Sequence, residues 1–474
     1  MNYVTIAGLG LILLFAACQN GAADLRVWDL CLIALGGLAC AHFLFVRRQK
    51  MQRLDRFSAI CAGLVMAFAV FQVVPLPAGL LALLSPMRIE LLKGALPATG
   101  DSADFVTLSV KPYQTFHYLL IVGSYLVVFL LVQDLTRNLK EGRWIAVWPL
   151  LLVGAFEAGL SFVQSPSGVP GENTTGTYLS YDHFAGLLEM ILPFGALYGA
   201  AILERPRARS ESAVLPAFQA GALAILSAVI LGAILHSLSR GGFVAAFGGL
   251  LVGGVMAISL RGWRPDSLQR IPSWRKAAPV AIVCVVILLG FIFLPSSLLV
   301  DRFAHKDDRP ELWQQTTGLI KDYPLLGCGL GGFESCFMRY QTLDPTFTFD
   351  FAHNDYLQVL AEFGILGFLA GFLFVARTLQ KAVSGTFSAA SASGRYLSIA
   401  CTSAMTAMLL HSLVDFNMYI PANAMVFAWV SGLAGTHVTS RLRSQKAASK
   451  PRTDSRVRDH RKVLGARPLV SRYS

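Results

Sequence analysis

Charge is scarce in this chain: Asp, Glu, Lys and Arg together supply 14% of 474 residues, hydrophobic side chains supply 54%, and the mean hydropathy is +0.56. That balance excludes a water-soluble domain, in which about a quarter of the residues are charged, and leaves an integral membrane protein. The sequence also has no paired CxxC motifs and no HExxH, so a structural or catalytic zinc site has no support, and it has no repeat of short period. Its net charge of +12 is not spread among aromatics along one face. Nucleic-acid binding is therefore set aside in favour of anionic lipid headgroups, which attract short basic segments between apolar runs.

What is abundant is apolar sequence in runs long enough to cross about 30 Å of hydrocarbon. About twelve spans are expected, beginning near Val4, Val27, Phe57, Thr115, Trp144, Phe184, Val214, Gly242, Ala277, Tyr356, Tyr396 and Tyr419. The fold class is thus an all-α polytopic membrane protein. Basic residues test the reading, because Lys and Arg accumulate in loops that stay in the cytoplasm. Segments 47–56, 137–143, 205–209, 261–276, 377–395 and the tail from Arg441 hold 30 of the 40, and they alternate with spans so that both termini face the cytoplasm. The intervening loops, 85–112, 165–182, 236–240, 295–353 and 415–421, then lie outside. The first run has no basic segment before it, so it is read as a retained span, although Leu14, Phe15, Ala16, Ala17, Cys18 has the look of a lipoprotein cleavage site.

Chemistry is expected in the large outer loop between spans nine and ten, because a long ionisable segment between two spans is not explained by the bilayer. The loop contains Arg302 and Arg309 and ends on His353, Asn354, Asp355, Tyr356. Six of the eight cysteines fall inside spans and behave as small apolar residues. Cys328 and Cys336 share the outer loop, where an oxidising compartment permits a bridge but spacing does not decide one. Gly327, Cys328, Gly329, Leu330, Gly331, Gly332 satisfies GxGxxG, yet it follows no strand of a βαβ unit and is read as a tight turn. The tail beyond Ser440 is basic without amphipathic period and is read as a disordered segment on anionic lipid.

Three outward residues precede three helix starts: Arg240 the eighth span, His353 the tenth, and Arg309 a short amphipathic helix whose face carries Leu312, Trp313, Thr316, Leu319 and Ile320. Unpaired N–H groups and the positive end of the macrodipole make helix N-termini anion sites. Two guanidinium forks beside such starts suit a pyrophosphate, and an imidazole suits removal of a proton from an attacking hydroxyl. The competing readings are arginines that snorkel to headgroups and a histidine that caps or packs. Asp301, Asp307, Asp308, Asp350 and Asp355 leave metal-assisted transfer open on residue types alone.

At these residues the chain resembles the bacterial O-antigen ligase and polymerase superfamily. The resemblance is carried by Ser237, Leu238, Ser239, Arg240, Gly241, Gly242; by Arg309, Pro310, Glu311, Leu312, Trp313; by Pro324 through Gly329; by His353, Asn354, Asp355, Tyr356, Leu357; and by Glu362, Phe363, Gly364. Gly176, Thr177, Tyr178 with Asp182, His183, Phe184, Ala185 is similar to an outer-loop motif of that superfamily. The resemblance implies an inverting glycosyltransferase of the C-type membrane class that needs no metal or other cofactor. Such an enzyme moves a glycan from a polyprenyl (undecaprenyl) pyrophosphate carrier to a hydroxyl of a glycan, a lipid A core or a protein, at the periplasmic face of the bacterial inner membrane. It assigns Arg240 and Arg309 to the pyrophosphate and His353 to the acceptor, with Arg302, Ser239, Trp313, Asn354, Tyr356 and His183 as candidate substrate-binding residues.

The expected organisation is spans one to six and the start of seven in 1–219, the ligase-related core in 220–376 with its periplasmic loop at 295–355, further spans in 377–439, and the basic cytoplasmic tail in 440–474. The rival reading is a transporter or flippase of lipid-linked glycans. Transporters hold ionisable residues near the midplane and show repeat symmetry, whereas most charges here sit at span ends. Glu157, Glu189 and Glu362 are the exceptions. A membrane scaffold without catalysis is the third reading.

Overall fold

The computed structural model describes residues 2–45, 54–99, 104–139, 142–164, 174–205, 212–259, 308–342 and 347–435. The ninth expected span from Ala277, Cys284, Arg302, the 295–307 part of the outer loop and the tail from 440 lie outside the described residues.

Apolar runs without internal partners for their backbone become helices, because in hydrocarbon each N–H and C=O must be satisfied within the segment. In chain order these are α1 (Asn2–Cys18), α2 (Leu25–Phe45), α3 (Arg56–Val73), α4 (Ala78–Leu84), α5 (Pro86–Thr99), α6 (Pro112–Asn138), α7 (Trp148–Gln164), α8 (Tyr181–Leu203), α9 (Val214–His236) and α10 (Arg240–Ser259). They are followed by α11 (Arg309–Asp322), α12 (Phe333–Phe337), α13 (Asp355–Ser388), α14 (Ala392–His411) and α15 (Pro421–Ala434). A helix starts near each of the eleven expected spans that fall within the described residues. Among the described residues, eight helices can cross a membrane by length and composition: α2, α3, α6, α7 with its leading turn, α8, α9, α10 and α13. α1 and α15 are apolar but shorter, and α14 is long enough but carries buried Ser398, Thr402 and Ser403. The described residues are predominantly helical, and the protein is a polytopic membrane protein of the α class.

The hub is α8, 83% of whose apolar window is buried, against α9, α10 and α14. Close approach of α10 to α14 depends on Gly249 and Gly253, which face Ser403 and Ala407, so two backbones meet where side chains would hold them apart. At one end of the bundle Thr5 Oγ1, His42 and Asp134 form a buried chain at 3.1 and 3.2 Å, and Lys381 pairs with Asp55 at the start of α3. The other end carries the candidate site.

That end is roofed by the segments the sequence places outside. Between α3 and α6, α4 and α5 are bracketed by a two-stranded antiparallel ribbon, β1 (Pro75–Pro77) against β2 (Phe105–Thr107), in the register Leu76↔Val106. The segment 324–329 docks on α13 where that helix is broken: at Gly364 the backbone turns to φ 59, ψ −174. The break frees main-chain groups, and Cys328 N donates to Ala361 O (2.9 Å), Gly329 N to Glu362 O (3.1 Å) and Ile365 N to Pro324 O (2.9 Å). The sequence predicts a continuous span opening at Tyr356; the 34-residue helix instead has a short outer piece before Gly364 and a long piece after it. Gly327, Gly329 and Gly331 all have positive φ (70, 105 and 75°), the property of a tight reversal, in accord with the turn reading of GxGxxG. Cys328 and Cys336 are both buried free thiols in one apolar cluster.

Candidate active site

Residues from four distant parts of the chain meet around the N-terminus of α8. Ser180 caps this helix, its hydroxyl accepting from His183 N at 3.4 Å. Asp182 falls in the first turn, where the macrodipole favours a carboxylate. One of its oxygens accepts from Ser239 Oγ at 2.5 Å and the other from Arg309 Nη2 at 2.7 Å. Ser239 Oγ in turn accepts from Gly242 N at 2.9 Å, so it caps α10 and binds that helix start to α8. The preceding Leu238 is held at φ +59, a left-handed conformation that a bulky residue adopts only under constraint. Arg240 begins α10 and Arg309 begins α11. Together with Tyr181, Asp182 and Leu238 they line one small polar pocket.

Beside this pocket lies a histidine–carboxylate cluster. His353, also at a positive φ of 48°, places Nδ1 3.1 Å from Asp415 Oδ1, and His183 Nε2 stands 3.4 Å from Oδ2. Burial alone would raise the Asp415 carboxyl; the imidazoles of His183, His353 and His411 outweigh it and hold the group well below the usual carboxylate range. An ionised carboxylate only accepts, so His353 Nδ1 carries a proton, and in the neutral ring Nε2 is the nitrogen that presents a lone pair. The His353 side chain is 36% exposed and that of His183 11%, so His353 is the one open to a ligand. Both rings stand edge-on to Phe416, with centroids at 4.8 and 4.7 Å, and Phe351 stacks on Phe416 at 4.1 Å.

The tetrapeptide 353–356 gathers the 409–418 segment. Asn354 caps α13 with Oδ1, which accepts from Tyr356 N and Leu357 N, while Nδ2 donates to Leu413 O at 2.8 Å. Asp355 accepts from Ser412 Oγ (2.7 Å) and Met418 N (3.1 Å). The Tyr356 hydroxyl donates to Leu409 O at 2.8 Å. Trp313 Nε1 donates to Ala352 O at 3.1 Å and to His353 O at 3.3 Å, which fixes α11 against the start of the tetrapeptide. Below the cluster, fully buried His411 and Glu189 pair at 2.9 Å, and Gly241 makes room for the imidazole.

Arg240, Arg309, His353, His183, Ser239, Trp313, Asn354 and Tyr356 therefore all lie at one end of the bundle, and Arg302 is outside the described residues. Sequence reasoning reaches Asp182 only within a motif and does not single out Asp415. The available signal is a lone carboxylate that follows a mostly apolar stretch, Met408 to Val414, interrupted by His411 and Ser412. Among the described residues no group of three His, Cys, Asp or Glu is arranged to hold a metal ion.

The family model of O-antigen ligase matches residues 223–372, a stretch that contains Arg240, Arg309 and His353 and stops short of Asp415. A comparison with curated proteins finds no match.

Proposed function

We propose, starting from the O-antigen ligase domain at 223–372 that makes this chain a member of the O-antigen ligase and polymerase family, that it transfers a glycan from a polyprenyl pyrophosphate carrier to a hydroxyl acceptor at the periplasmic face of the bacterial inner membrane. The observation that carries the reading is the adjacency of two unlike centres on one helix turn: the Arg240 and Arg309 pocket at Asp182, and the His353 and Asp415 pair at His183.

In this reading the donor pyrophosphate occupies the arginine pocket, where two guanidinium groups and the starts of α10 and α11 face it. The acceptor hydroxyl approaches His353 Nε2. Its oxygen forms a bond to the anomeric carbon as the bond from that carbon to the pyrophosphate oxygen breaks, and attack from the opposite side inverts the centre. The proton moves to His353 Nε2, Asp415 stabilises the imidazolium through Nδ1–H, and the arginines stabilise charge arriving on the leaving pyrophosphate, which stays on its lipid. No metal is required for this balance of charge. Ser239, Trp313, Asn354 and Tyr356 have polar atoms engaged within the chain, and they hold the surrounding elements in place.

Deletion of the protein tests the proposal. Lipid-linked glycan should accumulate while a finished polymer disappears: full-length chains on the carrier indicate a ligase, single repeat units a polymerase. Unchanged carrier-linked glycan at the periplasmic face, or its retention on the cytoplasmic face as a lost flippase would give, would overturn it.

A further inference from the structure

We infer that Asn423 is a positioning residue for His353, acting through Asn417 and Asp415; the assignment rests on the proposed role of His353 as proton acceptor. α15 is apolar apart from this fully buried amide and Ser431. A polar side chain among membrane helices is costly unless its donors and acceptors are met, and here three of them are. Oδ1 of Asn423 accepts from the Tyr178 hydroxyl at 3.0 Å. Nδ2 donates to His183 O and to Asn417 Oδ1, both at 2.8 Å. Asn417, also fully buried, directs its own Nδ2 to Asp415 Oδ2 at 3.4 Å, and the other oxygen of that carboxylate takes the proton of His353 Nδ1.

Tyr178, Asn423, Asn417, Asp415 and His353 thus form one hydrogen-bonded series from the loop before α8 to the histidine. α8 accommodates it at Gly186, where a Cβ would overlap the Asn417 amide. A carboxylate held at one oxygen only can rotate and offer either oxygen to the imidazole. Oδ2 is met by the Asn417 amide and by His183 Nε2, both at 3.4 Å, which limits that freedom, and Asn423 fixes the Asn417 amide so that its donor face points at Asp415. The same Asn423 nitrogen holds the backbone of His183, whose ring occupies the far side of the carboxylate. The orientation of the imidazole is therefore set from α8, α15 and the segment between α14 and α15 at once, and a small error in that orientation has a large effect on rate.

The test is transfer kinetics of the full-length protein in native membranes, with the polyprenyl pyrophosphate-linked glycan as the varied substrate and rates normalised to folded protein. Asn423→Ala should lower kcat at least tenfold while the donor KM stays within twofold. Asn417→Ala, outside any membrane helix, should do the same and serves if Asn423→Ala does not fold. The double variant should be no slower than the slower single, because both changes break one series. Tyr178→Phe, which leaves both Asn423 N–H bonds, should keep kcat within threefold. Wild-type kcat in either asparagine variant, or effects that multiply in the double, would overturn the inference. A wild-type protein without transfer would overturn instead the reading on which it rests.

Discussion

Arg309 meets Asp182 at 2.7 Å, and the second oxygen of that carboxylate is occupied by Ser239 at 2.5 Å. One acid thereby aligns the starts of α8, α10 and α11, and Arg240 lines the same pocket. Asp182 is nine-tenths buried or more and Arg309 about one-fifth exposed. Its removal leaves a cation at a partly desolvated site without its orienting partner, a change that costs about 3 to 5 kcal/mol for buried pairs. Asp182→Ala should reduce transfer at least a hundredfold and lower the thermal midpoint of the purified protein. Asp182→Asn, which still accepts from Ser239, should lose less. Transfer at wild-type rate in the alanine variant would show that the pair does not align the pocket.

Each arginine is expected to lose less function when its charge is kept and only its shape is changed than when both are removed. A lysine is a point charge and cannot make the paired contacts of a planar fork. Arg240→Ala and Arg309→Ala should each cut transfer by roughly 10²- to 10³-fold, the usual loss for one group stabilising a developing anion. The lysine variants should lie between these and wild type, with a raised KM for the carrier-linked donor. Lysine variants indistinguishable from alanine would mean that shape alone matters, and variants equal to wild type would remove the pyrophosphate assignment.

Asp415 makes two separable demands. Asp415→Asn keeps the shape and presents an amide to His353, which no longer selects the Nδ1–H tautomer; kcat should fall about a hundredfold or more, by analogy with orienting carboxylates elsewhere. Its effect on stability has a fixed sign. The folded carboxyl lies below its ordinary value of about 3.9, so its contribution is complete above that value and disappears as pH falls toward the folded one. The stability advantage of wild type over Asp415→Asn, read as a difference in thermal midpoint, should therefore shrink between about pH 5 and pH 3. A gap that widens on acidification over that interval would contradict it.

The helices were legible in the sequence because twenty apolar residues admit few other structures, and Arg240, Arg309 and His353 were legible because they sit immediately before helix starts. Asp182 and Asp415 were not, for a physical reason. A carboxylate at the end of an apolar run has the same local pattern whether it meets headgroups or turns inward, and the partners that decide the matter, Arg309 for one and His353 for the other, are 127 and 62 residues away. Local pattern also concealed the ribbon at Pro75–Pro77, which is three residues long and two of them proline. The break in α13 was hidden within Glu362, Phe363, Gly364, since a lone glycine in an apolar run does not announce the φ it will take.

That break is the most direct mechanical link between the outer segment and the membrane helices. Gly364 has φ 59 and ψ −174, a combination that is essentially reserved for glycine, and a Cβ there would press on the backbone of Leu325 and Leu326. The freed groups of α13 are the ones that hold 324–329, the chain that follows directly from α11 and its Arg309. Gly364→Ala must either straighten the helix and release that segment or keep the break under strain, at about 3 kcal/mol or more. Expected outcomes are a thermal midpoint lowered by several degrees, faster proteolysis within 323–332, and a higher donor KM with a smaller loss in kcat, because α11 is displaced while His353 and Asp415 are held from α14 and α15. Gly371→Ala is the control, since nothing lies within 4 Å of a Cβ at that position in the same helix. If both alanine variants melt and turn over alike, the docking of 324–329 on the broken helix does not support the arginine pocket.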